Sequence, residues 1–265
     1  MKIIELEEMK KIELSILKHV HNFCELHDLK YFLAGGTLLG AVRHEGFIPW
    51  DDDIDIIMPR SDYMKFLQLS KGGIGDQLEV LSMYNSKEYM YSFAKVIDNR
   101  TELIENDISN KSIGVYIDVF PMDGLPSTIK DSDKFFKKMK IYQNIRLLII
   151  HNYKKDSKKM PLKILSKFFL ITMGYEWILK KIDRFSSKYI YEDSDFVAVS
   201  VAGYGRKERI EKKYCTELKK MRFEDDFFYV PVYYEKYLKN LYGDYMKLPP
   251  ENNRVSHHRY KAFWK

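Results

Sequence analysis

Apolar residues at Ile3, Leu6, Met9, Ile12, Ile16, Leu17, Val20, Phe23 and Cys24 recur every three or four positions, the repeat of one helical face, and predict an amphipathic helix over 3–26. A short apolar run, Tyr31-Phe32-Leu33-Ala34, then ends at Gly35-Gly36. Thr37 is a good N-cap for a second helix over 37–43, so this stretch reads as strand, glycine turn and helix. Beyond a loop at 46–50, Asp53-Ile54-Asp55-Ile56-Ile57-Met58 alternates and then becomes fully apolar, as a strand buried at one end does, with Pro59 as its stop. A helix over 62–69 and a Gly-rich turn at 72–75 follow. Strands are predicted at 78–83, 91–97, 101–104 and 115–120, the last closed by Pro121 and Gly124.

Past 126 the pattern changes to Lys-rich helical segments at 133–152, 161–181 and 183–191, which places a boundary near 128. Turns at 203–205 and 223–230 lead to a last amphipathic helix over 233–241 and a Pro249-Pro250 stop. No internal repeat or low-complexity linker is visible. The expected architecture is α+β: a mixed β-sheet core with flanking helices over 1–128, and a helical portion over 129–265 that completes the site.

Composition narrows this picture. With 265 residues, 45% hydrophobic and 31% charged, the chain can bury a core in one large domain or two small ones, which excludes disorder throughout. Residues 130–220 hold 23 Lys/Arg against 11 Asp/Glu, and the other 174 residues hold 21 against 27. The net charge of +6 therefore conceals an acidic front and back around a basic middle. Cys24 and Cys215 fit no metal or redox spacing and read as ordinary thiols. An acidic N-terminus and the lack of an apolar stretch of about 20 residues lead us to expect a cytoplasmic protein, without a signal peptide or membrane span.

The chemistry concentrates in Trp50-Asp51-Asp52-Asp53-Ile54-Asp55, four carboxylates within five residues at the start of an apolar strand. Charges packed this closely repel unless a cation neutralises them. In an extended chain Asp53 and Asp55 emerge on one face, and Asp51 joins them if the strand starts early. Oxygen ligands in this arrangement suit Mg²⁺ or Mn²⁺. A calcium loop fails at Ile56, where its turn requires Gly, and at Asp62, where it requires Glu. Upstream, Gly35-Gly36-Thr37 at a strand-to-helix junction has the form of a phosphate cradle, because a helix N-terminus offers unpaired amides and the positive end of a dipole. Asp118, within the apolar run Val115-Tyr116-Ile117-Asp118-Val119-Phe120, needs a partner cation or hydrogen bonds and is a third metal ligand or a general base. Arg43, His44 and Lys95 are candidate phosphate contacts, Trp50 is a candidate wall for the substrate, and His257-His258 are set aside as tail histidines.

Gly-Gly-Thr, then Asp-x-Asp, then an isolated Asp in an apolar strand resembles the nucleotidyltransferase superfamily. Gly36-Thr37-Leu38-Leu39-Gly40-Ala41-Val42-Arg43-His44, Gly46-Phe47-Ile48-Pro49-Trp50-Asp51-Asp52-Asp53-Ile54-Asp55, Tyr116-Ile117-Asp118-Val119-Phe120-Pro121-Met122-Asp123 and Tyr242-Gly243-Asp244-Tyr245-Met246-Lys247-Leu248-Pro249-Pro250 resemble the LicD family more closely. The resemblance implies a nucleotidyltransferase-like core. It implies transfer of phosphocholine from CDP-choline to a sugar hydroxyl of a teichoic acid or lipopolysaccharide precursor, with release of CMP. It also implies that Asp53, Asp55 and Asp118 hold two divalent ions, and that Gly35, Gly36 and Thr37 contact phosphate. Fukutin-type relatives transfer ribitol phosphate with the same aspartate motif, so ribitol or glycerol phosphate is the alternative cargo.

A quaternary ammonium is best held by aromatic faces, of which the chain offers 20 Tyr, 16 Phe and 3 Trp without marking a cage. Phe168-Phe169-Leu170-Ile171 among Lys163, Lys167, Lys180 and Lys181 suits a helix lying on an anionic membrane, where a lipid-linked glycan acceptor would be met, and equally a helix packed on the core with a solvated Lys face. Nucleic acid is not an expected partner. A glycosyltransferase with an Asp-x-Asp motif, a template-free nucleotidyltransferase and a non-catalytic membrane-surface protein are the rival readings, separable by which nucleotide the protein releases from CDP-alcohols and UDP-sugars.

Overall fold

The computed structural model, which describes residues 2–71, 73–87, 89–105, 112–150, 175–255 and 260–265, is organised around a ten-residue strand, β7 (Tyr116–Leu125). The first half of β7 lies between β3 (Asp55–Pro59), to which it is parallel, and β5 (Ala94–Asp98), to which it is antiparallel. With β2 (Phe32–Leu33) and β4 (Leu78–Leu81) at the sides, the order is β2-β3-β7-β5-β4. Parallel neighbours require a long crossover. Here it passes through α3 (Arg60–Leu69), β4, β5 and β6 (Thr101–Glu105) before β7 begins. Ile56, Ile57 and Met58 on β3 and Ile117 and Val119 on β7 are all buried, which accounts for the near-continuous apolar runs in both strands. The hydrophobic cluster extends from α1 (Leu6–Leu26) through the sheet to α7 (Tyr234–Tyr242), taking in Ile16, Leu17, Val119, Phe228 and Leu238. The α+β class with a mixed sheet is as expected. Both cysteines are buried free thiols.

Three expectations are corrected. First, β7 does not stop at Pro121 and Gly124. Pro121 falls between the stretch paired to β5, which ends at Val119, and the stretch paired to β8 (Phe196–Ala198), which starts at Asp123, so on that side the strand needs no N–H at Pro121. Gly124 is where the strand meets other backbone, since a Cβ there would lie 2.6 Å from the Ile190 carbonyl oxygen. Second, the N-terminal helix begins only at Leu6. Lys2–Ile4 forms β1, antiparallel to β12 (Tyr260–Trp264), and Ile3, which fits the helical repeat, is 58% exposed. Third, the segment 223–230 is not a simple turn but part of a hairpin, β10 (Leu218–Phe223) and β11 (Asp226–Pro231), with Glu224 in the left-handed region at its tip.

The portion beyond 128 does carry helices: α4 (Ile129–Ile150), α5 (Glu176–Ser186), α6 (Lys213–Thr216) and α7. It also contributes β8, β9 (Ile210–Glu211), β10, β11 and β12, each of two to six residues and too short for alternation to stand out. The helix expected at 183–191 ends at Ser186, where α5 does. Most of the segment expected at 161–181, including Phe168-Phe169-Leu170-Ile171, lies outside the described residues, as do His257 and His258. Where that segment re-enters, Ile178, Leu179 and Ile182 are buried and Lys180 and Lys181 exposed, an ordinary amphipathic face. No helix among the described residues is long and apolar enough to cross a membrane.

Because β7 runs on past Pro121, Asp123 reaches Arg60 at the start of α3. The guanidinium donates to both Asp123 oxygens at 2.6 and 2.7 Å, and to Asp183 Oδ1 of α5 at 3.0 Å. Tyr84 donates to the second Asp183 oxygen at 2.6 Å. One largely covered arginine thus ties the sheet, α3 and α5 together.

Candidate active site

The start of β3 is pinned from both sides. The Asp55 amide donates to Thr37 Oγ1 at 2.8 Å, the Asp55 carbonyl accepts from the Ala34 amide at 3.0 Å, and the Ile54 carbonyl accepts from the Asp118 amide at 2.9 Å. Thr37 is therefore not the N-cap expected of it. Ala34 occupies that position, α2 (Gly35–His44) includes both glycines, and the Thr37 hydroxyl fixes the strand that carries the acids. In register, Asp55 stands opposite Asp118, and Asp118 opposite Lys95, so the three form a row across β3, β7 and β5.

That row answers the question posed by a lone acid in an apolar strand. The Lys95 ammonium, 1% exposed, donates to Asp118 Oδ1 at 2.6 Å and sits 3.3 Å from the centroid of Tyr116 and 4.6 Å from that of Tyr91. Lys95, expected as a substrate contact, is instead buried among rings and bonded to Asp118, and it does not line the cavity described below.

The glycines make room for carboxylates. Gly35 has φ +47°, and a Cβ on it would lie 3.4 Å from Asp55 Oδ2. A Cβ on Gly36 would lie 2.5 Å from Asp51 Oδ2, closer than side chains pack. Asp51 and Asp55 thus approach the first turn of α2, where unpaired amides and the helix dipole favour negative charge. We expect Gly36→Ala to displace Asp51 and to lower turnover by about 10²-fold, the scale of an ångström-sized misplacement. Steady-state assays beside a thermal melt check this, and full activity in a folded variant would show that Asp51 need not be held there.

The carboxylate oxygens of Asp51, Asp52 and Asp53 come within 4.8 Å of one another. Asp53, Asp55 and Asp118 line one cavity of about 350 Å³, as the alternation of a strand predicts for the first two. Asp52 is buried, with its carbonyl accepting from the Tyr260 hydroxyl at 2.9 Å. Burial, with Asp53 and then Asp118 close by, pushes the Asp55 carboxyl well above the usual range, and Lys95 partly offsets this. Glu13 of α1 adds a buried carboxylate that was not picked from the sequence. Burial and the charges of Asp53 and Asp52 raise its carboxyl well above normal, and its Oε2 has no hydrogen-bond partner. A donor set made of oxygen alone and rich in negative charge fits a hard divalent cation.

The rest of the cavity wall comes from the C-terminal portion. Gln143, Arg146 and Leu147 of α4, Tyr204, Glu208 and Tyr237 line the same cavity as the acids, with Phe93 and Phe120 from the sheet. Arg146 Nη1 donates to the Met90 carbonyl at 2.7 Å. Its sequence signal was available, because Arg146 is the single charge within residues 141–150. Glu208, 1% exposed in a 3₁₀ turn (Gly205–Glu208), has its carboxyl pushed up to about 8 by burial. Nothing local marks it.

Arg43, His44 and Trp50 are not brought to this cavity. They gather at the other end of α2, where Arg43 donates to the His44 ring at 2.9 Å and to the Tyr245 carbonyl at 3.0 Å. His44 meets Trp50 edge to face at 6.3 Å, and Arg254 lies 5.7 Å from the Trp50 ring. Burial and the neighbouring Arg43 hold the His44 imidazole below its usual pKa.

The family profile described as "LicD/FKTN/FKRP, nucleotidyltransferase domain" matches residues 28–163, just over half of the chain. The chain is 32% identical to the lipopolysaccharide cholinephosphotransferase LicD of Haemophilus influenzae, over 99% of both proteins. A stretch covering 15% of the chain is 46% identical to 8% of human ribitol 5-phosphate transferase FKRP. From a family match over half its length and a relative aligned end to end, it follows that the chain belongs to the LicD family.

Proposed function

We propose that this protein transfers phosphocholine from CDP-choline to a sugar hydroxyl of a teichoic acid or lipopolysaccharide precursor, releasing CMP, with one or two Mg²⁺ or Mn²⁺ ions held by Asp53, Asp55 and Asp118 and by Asp51. The chain is a phosphotransferase of the LicD family. The observation that carries the finer reading is the meeting of three acids, the first turn of α2 and Arg146 around one cavity, in a chain similar throughout to a cholinephosphotransferase.

The acceptor oxygen attacks the phosphorus that bears choline, and the bond from that phosphorus to the bridging oxygen breaks, so that CMP leaves with the electron pair. Asp118 takes the proton of the attacking hydroxyl, and Lys95, bonded to it, holds the carboxylate in place. Arg146, which lines the same cavity, meets phosphate oxygens. A divalent ion bound by the acids supplies positive charge to the diphosphate and to the departing CMP. The Lys-rich portion is read as the side on which a polyanionic, lipid-linked acceptor approaches.

Incubation with CDP-choline, CDP-ribitol, CDP-glycerol or a UDP-sugar, with and without Mg²⁺, tests the reading. CMP is expected from CDP-choline, and only with the metal. CMP from CDP-ribitol alone would reassign the cargo, and UDP release would overturn the class.

A further inference from the structure

The catalytic scheme uses Glu208 for nothing, and yet a buried carboxylate is costly unless something compensates its charge. Glu208 lines the cavity that holds Asp53, Asp55 and Asp118. Its hydrogen bond is a long one, from the Tyr237 hydroxyl at 3.5 Å, and among the described residues no Lys, Arg or His forms an ion pair with it. Around it stand aromatic rings. Tyr204 and Tyr237 line the same cavity, and Tyr242 backs Tyr204 edge to face at 5.7 Å, with their hydroxyls 3.0 Å apart. The Tyr242 hydroxyl lies 3.6 Å from the point where a Cβ on Gly35 would stand, and the Asp55 carboxylate lies 3.4 Å from that point. The tyrosines therefore bridge the space between the acids and Glu208.

We infer that Glu208 and the rings of Tyr204 and Tyr237, the former backed by Tyr242, form the pocket for the quaternary ammonium of the transferred alcohol, and that Glu208 is the residue that selects a cationic cargo. The inference rests on the donor reading above. A trimethylammonium group has no N–H to donate, so aromatic faces and an opposing negative charge are what recognise it. Its nitrogen is separated from the reacting phosphorus by one oxygen and two carbons, so its pocket must share a cavity with the acids, as Glu208 does. A polyol cargo would leave the carboxylate without a counter-charge.

The test compares CDP-choline with its neutral carbon isostere, CDP-3,3-dimethylbutanol. The wild-type protein is expected to prefer CDP-choline by about tenfold or more in kcat/KM. Glu208→Gln, which keeps the size and the bond to Tyr237, should bring the ratio close to one while inhibition by CMP stays unchanged. Tyr204→Leu should lower the ratio and Tyr204→Phe preserve it, which separates loss of an aromatic face from loss of a fold. Calorimetric binding of phosphocholine and of 3,3-dimethylbutyl phosphate to the same variants keeps the two readings apart. No CMP from either donor overturns the donor assignment. Equal affinity of the wild type for the two phosphates, or a Glu208→Gln variant with the wild-type ratio, overturns the pocket.

Discussion

Asp53→Asn and Asp55→Asn are each expected to lower CMP release from CDP-choline by about 10³-fold or more, the scale lost when a preorganised charge is removed from a site. Both carboxylates line the cavity, and the backbone that presents Asp55 is fixed by Thr37, Ala34 and β7, so an isosteric amide leaves the geometry in place. The same change should act in the opposite direction on stability. Burial, and then the charges of Asp53 and Asp118, raise the Asp55 carboxyl. An amide, which needs neither a buried charge nor a bound proton there, should therefore melt above the wild type in metal-free buffer near pH 7. A loss of activity joined to a gain in stability distinguishes a site of concentrated charge from a structural role. Near-normal turnover in either variant would sink the assignment of the acids.

The second large effect belongs to Arg60. Arg60→Met removes the cation from Asp123, whose side chain is 1% exposed, and from Asp183. Stranding a buried carboxylate in this way costs about 3–5 kcal/mol. The double variant Arg60→Met/Asp123→Leu should recover most of that loss, since apolar replacement of both partners is close to neutral. Urea unfolding of the single and double variants measures the coupling. A single variant destabilised by less than about 1 kcal/mol, the value of a surface pair, would mean that the cluster is solvated in solution.

How far the sequence could be read depended on the range of the interaction. The α1 repeat, the β3 alternation and the acid-rich turn are local patterns, and they predicted the placement of Asp53 and Asp55 on one cavity wall. Asp118 was recognisable as a charge in need of a partner, but its pairing with Lys95 depends on strand register, which β5 shares with β7 and which no local spacing encodes. Arg43 and His44 were drawn toward the glycines by their place in one motif. A helix rises about 1.5 Å per residue, so eight residues carry them roughly 12 Å away, to the far end of α2. Glu208 and Tyr204 lie more than 80 residues after Asp118 and enter the site through the pairing of β8 with the end of β7, the half-strand that Pro121 seemed to exclude.

The split origin of the cavity wall also bears on how the protein becomes active while it is being made. The acid row is complete once β7 has emerged, but Tyr237 follows Asp118 by 119 residues. At translation rates of about 5–20 residues per second the acids wait roughly 10 s for the rest of the wall. Throughout that interval the emerged chain holds Asp53, Asp55 and Asp118 but lacks Tyr237 and the helix that carries it. On the assignment of Glu208 and the tyrosines proposed above, selectivity is then the last property of the site to form.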